Sequence, residues 1–195
     1  RVGIGLDSVD LIAARGRGVA VCYTPDAPAP AVAELTIGLV ISLLRSVHLA
    51  NLGMHAGDWN RFFGLRIADA TIGVIGVGRI GERVLRLLSA MGAGRVLAND
   101  PDRQPVGLSG LEVEWVDKDV IYQASDLITV HVPLSRSTRN LIGRTELGLM
   151  REGSFVVNTS RGGVVDEQAL ADSLTSGALG GAAVDVFQEE PYSGP

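Results

Sequence analysis

Three places in this sequence combine residue types and spacings that can do chemistry. The first lies within "TIGVIGVGRIGERV", where Gly76-Val77-Gly78-Arg79-Ile80-Gly81 follows an apolar run and opens an amphipathic one. Glycines at this spacing, between a strand and a helix, let backbone amides hold a pyrophosphate at the start of the helix. Gly76 permits the sharp turn, Gly78 the approach of phosphate to backbone, and Gly81 the close packing of helix on strand. The second is Asp100, nineteen residues beyond Gly81 at the end of the next apolar run. A carboxylate there accepts bonds from both adenosine ribose hydroxyls and repels a 2′-phosphate, which favours NAD over NADP. Arg103 stands close by with the opposite charge. The third is Arg161 in "NTSRGGVVDE", a permanent positive charge placed between the β-branched run ending at Val157 and two glycines.

These residues must be positioned by regular elements, and the pattern supplies them. Strands are predicted over 71–75, 96–98, 127–132, 154–157 and 182–186. Helices are predicted over 80–91, 117–124, 145–150 and 166–176, the last capped by Asp166. Strands that are continuously apolar and alternate with helices form a parallel sheet covered on both faces. Such a doubly wound α/β sheet binds ligands beyond the carboxyl ends of its strands, where all three candidate positions fall.

Upstream, residues 2–7 and 19–23 read as strands flanking a short helix over 7–15. Pro25-Asp-Ala-Pro-Ala-Pro30 is a stiff linker, because three prolines in six residues fit neither a helix interior nor a central strand. Residues 32–54 form a helical pattern that is apolar on most sides, which predicts cover from a second domain or a second subunit; an ordinary central helix is the alternative.

The composition narrows the class. The chain has 195 residues, 46% of them hydrophobic, and 25 glycines against few aromatics, as α/β proteins with tight turns do. A net charge of −5 argues against a general nucleic-acid binder. The longest uncharged apolar run, residues 35–44, is too short to span a bilayer, so no membrane partner is expected. One cysteine, Cys22, excludes an internal disulfide and fits a reducing, cytoplasmic setting. No metal is implied. The chain begins with Arg1 and ends at Pro195, as a fragment of a longer protein would.

Taken in order, "VAELTIGLVISLLR", "GDWNR", "IGVIGVGRIG", "DLITVHVPLSRSTRNLIG", "LMREGSFVVNTSRGGVVDEQALADSL" and "GGAAVDVFQEEP" resemble the NAD-binding part of the D-isomer-specific 2-hydroxyacid dehydrogenases. The resemblance implies a Rossmann-type domain (29–195) preceded by a short remnant (1–28) of a second, flavodoxin-like substrate domain. Residues 32–54 then correspond to a crossover helix that makes a homodimer. The implied reaction is hydride transfer between NAD(H) and a D-2-hydroxy acid or 2-keto acid. Arg161 matches the substrate-binding arginine, whose fork can bond two oxygens. Glu190 matches the catalytic glutamate, and Gly3 and Gly5 match a substrate-facing turn. For the cofactor, the resemblance implies the Arg79 and Ile80 backbone at the pyrophosphate, Val132 and Pro133 near the adenosine, Thr159 and Ser160 near the nicotinamide ribose, and Asp185 at the carboxamide.

The general-acid histidine of that pattern falls in a Pro-His motif downstream of Pro195. His48, His55 and His131 do not substitute for it, His131 reading as a packed strand-end residue, with a place lining the adenosine side of the cleft as the alternative. The chain alone is therefore expected to bind NAD and turn nothing over. The hinge "TPDAPAPAVAEL" departs from the pattern, carrying prolines where relatives have an Asn or a Ser-Thr pair. Phosphoglycerate dehydrogenase-like members fit best within the family, and glyoxylate or hydroxypyruvate reductases stay open. An NAD-responsive corepressor on the same scaffold is the alternative from another class.

Overall fold

The computed structural model describes residues 1–6, 8–102 and 112–193. Asp7, where the first predicted helix starts, and Arg103, beside the candidate ribose-binding acid, lie outside the described residues. Six parallel strands form one sheet in the order β3-β2-β1-β4-β5-β6. They are β1 (Thr71–Ile75), β2 (Arg95–Asn99), β3 (Glu114–Trp115), β4 (Leu127–Val130), β5 (Ser154–Asn158) and β6 (Leu179–Val184). The strand order reverses between β1 and β4. That is the switch point at which doubly wound sheets open a ligand crevice.

Both faces of the sheet are covered, which is why its strands are apolar throughout rather than alternating. On one face α2 (Ala29–Leu44) and α4 (Arg79–Ala90) pack on Ile72, Val74 and Val157. On the other, α5 (Lys118–Ala124), α6 (Arg144–Leu149) and α7 (Glu167–Thr175) bury Tyr122, Leu147 and Leu170 against Ile75, Ile128 and Val156. Asp166 caps α7, its Oδ1 accepting from the Ala169 amide at 3.0 Å, as its place before the helix requires.

Two expectations need correction. The predicted strands at 2–7 and 19–23 are absent among the described residues. Among the described residues these segments flank α1 (Leu11–Gly16) and exchange isolated bonds rather than a ladder, such as Thr24 N to Gly3 O at 3.2 Å and Gly3 N to the Thr24 hydroxyl at 2.8 Å. Two such segments, joined to no further strand, cannot make a stable sheet. The helix predicted over 32–54 is two helices, α2 and α3 (Val47–Ala56), bent by 65°. The break has a tertiary cause. Residues 64–65 cross the end of α2, and the Leu65 amide donates to the Leu44 carbonyl at 2.9 Å, while Ser46 turns the chain with φ 52°. No single helix among the described residues is long and apolar enough to cross a membrane.

This break also divides the apolarity. α2 buries Ala29, Ala33, Ile37, Val40 and Leu44, a stripe at helical spacing. α3 buries nothing: Leu52 and Met54 are 63% and 58% exposed, with Trp59 (76%) and Phe63 exposed just beyond.

Candidate functional site

The carboxyl ends of β1, β4 and β5 meet at one edge of the sheet, and the predicted residues gather there. After β1 the chain turns at Gly76 with φ 91°, and a side chain there would press on the His131 carbonyl 2.7 Å away. A Cβ on Gly81 would overlap the Gly76 carbonyl, so only glycine lets α4 begin this close to the strand. Gly78 differs: the space that its side chain would occupy is open. The result is a cradle, a helix N-terminus without a capping side chain facing an empty approach, which suits a phosphate group.

Asp100, just past β2, is half-buried and tied to this loop. Its Oδ2 accepts from the Val77 amide at 2.7 Å and its Oδ1 from the Asp102 amide at 2.9 Å. The acid that would hold a ribose therefore also fixes the glycine turn.

Arg161 sits just past β5 on a loop held by Asn158. The Asn158 Oδ1 accepts from the Ser160 amide and hydroxyl at 3.1 and 2.8 Å, and its Nδ2 donates to the Arg161 carbonyl at 3.0 Å. The guanidinium donates to the Ser160 carbonyl at 2.6 Å. Asn158 was not singled out from sequence as a positioning residue, although an Asn ending a strand before Thr-Ser is a local turn signature. Thr159 is buried, its hydroxyl 2.9 Å from that of Thr36 on α2.

Two clefts meet at Arg161. One, of about 470 Å³, is walled by Gly78, Arg79 and Ile80 from the glycine loop, Val132 and Pro133 after β4, and Thr159 and Ser160 after β5. The other, of about 490 Å³, is walled by Gly3, Gly5 and Arg1 from the N-terminal segment and by Glu190. Glu190 accepts from the Phe187 amide at 3.0 Å. Ile4, Gly5 and Arg161 border both clefts. Of the predicted positions, Gly3, Gly5, Gly78, Arg79, Ile80, Val132, Pro133, Thr159, Ser160, Arg161 and Glu190 border one or both clefts, while Gly76, Gly81 and Asp100 stand behind the first as supports of the glycine turn. Asp185 is exposed just past β6 and borders neither cleft; its amide donates to the Asn158 carbonyl at 3.0 Å. Sequence reasoning missed Tyr23 and Val32 as walls of the first cleft, and Arg1 and Phe187 as walls of the second.

His131 also borders the first cleft, packed beneath the glycine turn. Its Nε2 lies 3.0 Å from the Thr129 hydroxyl, and its Nδ1 is buried without a partner. Burial pushes its pKa down to about 4, so the ring is neutral at physiological pH. None of the three histidines borders the cleft of Arg161 and Glu190.

Residues 37–195 match the family described as D-isomer specific 2-hydroxyacid dehydrogenase, NAD binding domain. The chain is 40% identical over 193 residues to a hydroxypyruvate reductase of Thermotoga maritima, covering 98% of this chain and 62% of that protein. It is 40% identical over 194 residues to a D-3-phosphoglycerate dehydrogenase of Methanocaldococcus jannaschii, covering 98% of this chain and 37% of that protein. The chain thus spans less than two thirds of the length of either relative. Among solved structures, a glyoxylate reductase from Paecilomyes thermophila superposes with a TM-score of 0.88 at 33% identity, over 99% of this chain and 59% of that one. A D-lactate dehydrogenase from Aquifex aeolicus, complexed with NAD and lactic acid, superposes with a TM-score of 0.87 at 29% identity, over 96% and 57%.

Proposed function

Because the chain belongs to the D-isomer specific 2-hydroxyacid dehydrogenase family and carries its NAD binding domain, we propose that it forms the cofactor half of an oxidoreductase acting on a D-2-hydroxy acid or its 2-keto acid. The observation that carries this reading is the position of Arg161, bordering both the glycine-loop cleft and the cleft of Glu190.

Bound NADH would supply the hydride that reaches C2 of the keto acid. The chain's own residues do the rest. Arg161 holds the carboxylate and draws charge toward the keto oxygen, its fork suited to two oxygens and its charge permanent. Gly76, Gly78 and Gly81, with the amides of Arg79 and Ile80, seat the pyrophosphate; Asp100 receives the adenosine ribose, flanked by Val132 and Pro133. Thr159 and Ser160 would hold the floor beneath the nicotinamide side, and Asp185, which the family resemblance assigns to the carboxamide, stands just past β6 outside both clefts. The keto oxygen needs a proton from a general acid, and Glu190 is the partner that would hold a histidine in the right range. With no histidine of this chain bordering that cleft, the chain by itself binds cofactor without turnover. Gly3 and Gly5 supply the substrate-facing turn. The exposed apolar surface of α3 supports a homodimer, and the single exposed Cys22 supports a reducing, cytoplasmic setting.

Two measurements test this. Titration of the chain with NADH should show a change in nicotinamide fluorescence, weakened about tenfold or more by Asp100→Ala through loss of charged hydrogen bonds; no binding at millimolar cofactor sinks the site. The full-length protein should oxidise NADH with at least one member of a 2-keto acid panel. Silence with all of them sinks the enzyme reading in favour of an NAD-responsive corepressor.

A further inference from the structure

The hinge and the glycine loop are joined by one ion pair. Arg79, the first residue of α4, donates from Nε to Oδ1 of Asp26 at 2.7 Å, across 53 residues of sequence. Asp26 lies in the proline-rich hinge, between Tyr23 and Val32, both of which wall the cleft that Arg79 also borders. We infer that Asp26 is a positioning residue that occupies the Arg79 guanidinium in the free protein and gives it up to the cofactor's pyrophosphate, so that Asp26 sets cofactor affinity.

The inference rests on the reading of that cleft as the dinucleotide site, and its logic is competition for one cation. The pyrophosphate arrives at the amides of Gly78–Gly81, next to the residue whose guanidinium the carboxylate holds. A dianionic group outcompetes a single carboxylate for an arginine, and it does so more readily where the carboxylate is exposed. Both partners here are exposed, with side chains 53% and 69% accessible, so the pair is weak enough to be exchanged. Asp26 also adds a negative charge near the incoming phosphates. Each effect opposes binding, and each ends when the Asp26 charge is removed. The prolines on either side, Pro25 and Pro28, hold the carboxylate in place at little entropic cost.

The test is calorimetric titration of the chain with NADH, with ADP-ribose, which keeps the pyrophosphate but lacks nicotinamide, and with adenosine, which has no phosphate. Asp26→Asn should tighten NADH and ADP-ribose about two- to fivefold, the range that an exposed pair implies, and leave adenosine unchanged. Asp26→Glu should restore the original affinity. Arg79→Gln should weaken both phosphate ligands, and adding Asp26→Asn to it should bring no further gain. Asp26→Ala repeats the measurement should the asparagine form new bonds. The inference is overturned if Asp26→Asn and Asp26→Ala leave the phosphate ligands unchanged or weaken them, because Asp26 would then be aiming Arg79 at the pyrophosphate or playing no part. It is also overturned if the gain persists without Arg79. Failure of the unaltered chain to bind NADH or ADP-ribose would overturn the site assignment, and this inference with it; tight NADH binding with no effect of Asp26 would remove the inference alone.

Discussion

A guanidinium can work at the rim of a sheet only if its loop is held still, and Asn158 and Gly162 hold it. Asn158 spends both side-chain atoms on the loop backbone. Gly162 lets the chain after β6 pass so close that any Cβ would fall on the Phe187 carbonyl carbon and oxygen. Gly162→Ala must therefore displace one of the two segments, and with it Arg161 or Glu190. The expected cost is about 2–3 kcal/mol of stability, as for overpacked sites, read from the midpoint of chemical denaturation. Gly148→Ala, on a helix and facing open space, should cost nothing, and an equal loss at both glycines would refute the close-approach argument. The need for a glycine beside Arg161 was legible in the sequence. What it makes room for was not, because residues 187–188 reach it only through the fold.

At the scale of elements, five strands of the sheet and the helices after Trp59 were legible because each buried run is bounded by a cap or a turn and the sheet is covered on both faces; the edge strand β3, two residues with an exposed Glu114, carries no apolar run and was not. The break at Ser46 was not. Residues 32–54 have an unbroken helical pattern, and the bend comes from Gly64 and Leu65 packing across the Leu44 carbonyl, an event remote from the helix itself. The sequence did carry the consequence: apolar residues on several sides of one pattern are now shared between a covered α2 and an uncovered α3. That surface argues for a second copy of the chain. Paired charges at Leu52→Glu and Met54→Glu should convert a dimer into monomers in sedimentation velocity without lowering the thermal midpoint of the monomer, since neither side chain is part of the core. A sedimentation coefficient unchanged by the double substitution, or an unaltered chain that is already monomeric, would dispose of the α3 interface.

The whole molecule places its chemistry where the strand order reverses, and it buries a titratable group beneath that point. His131 follows β4, its backbone supports the glycine turn, and its ring is kept neutral by burial, with a pKa near 4 against an ordinary 6.5. From sequence this histidine read as a packed strand-end residue or as a wall of the cleft, and it is both, packed under the glycine turn and bordering the first cleft; its missing partner at Nδ1 was beyond reach, since burial of a ring nitrogen depends on the surrounding elements. The sign of its effect on stability follows. Below pH 6.5 the unfolded chain takes up a proton at this position that the folded chain refuses, so stability is fully present above that pH and is lost as pH falls toward 4. Below about pH 4 the folded ring is protonated too and the loss levels off, at roughly 3 kcal/mol for a shift of this size. The carboxylates of Asp69, Glu114 and Asp172 are held below their usual range by Arg66, Arg95 and Arg144, so their contributions fade only in more acid solution. Of these four groups, the histidine is the one whose contribution changes between pH 6.5 and 5. Urea denaturation at pH 7.5, 6 and 5 should show stability falling across it in the unaltered chain, and a shallower fall in His131→Gln. Parallel curves for the two proteins would mean that the ring is protonated inside the fold, and that it is not the neutral support of the glycine turn.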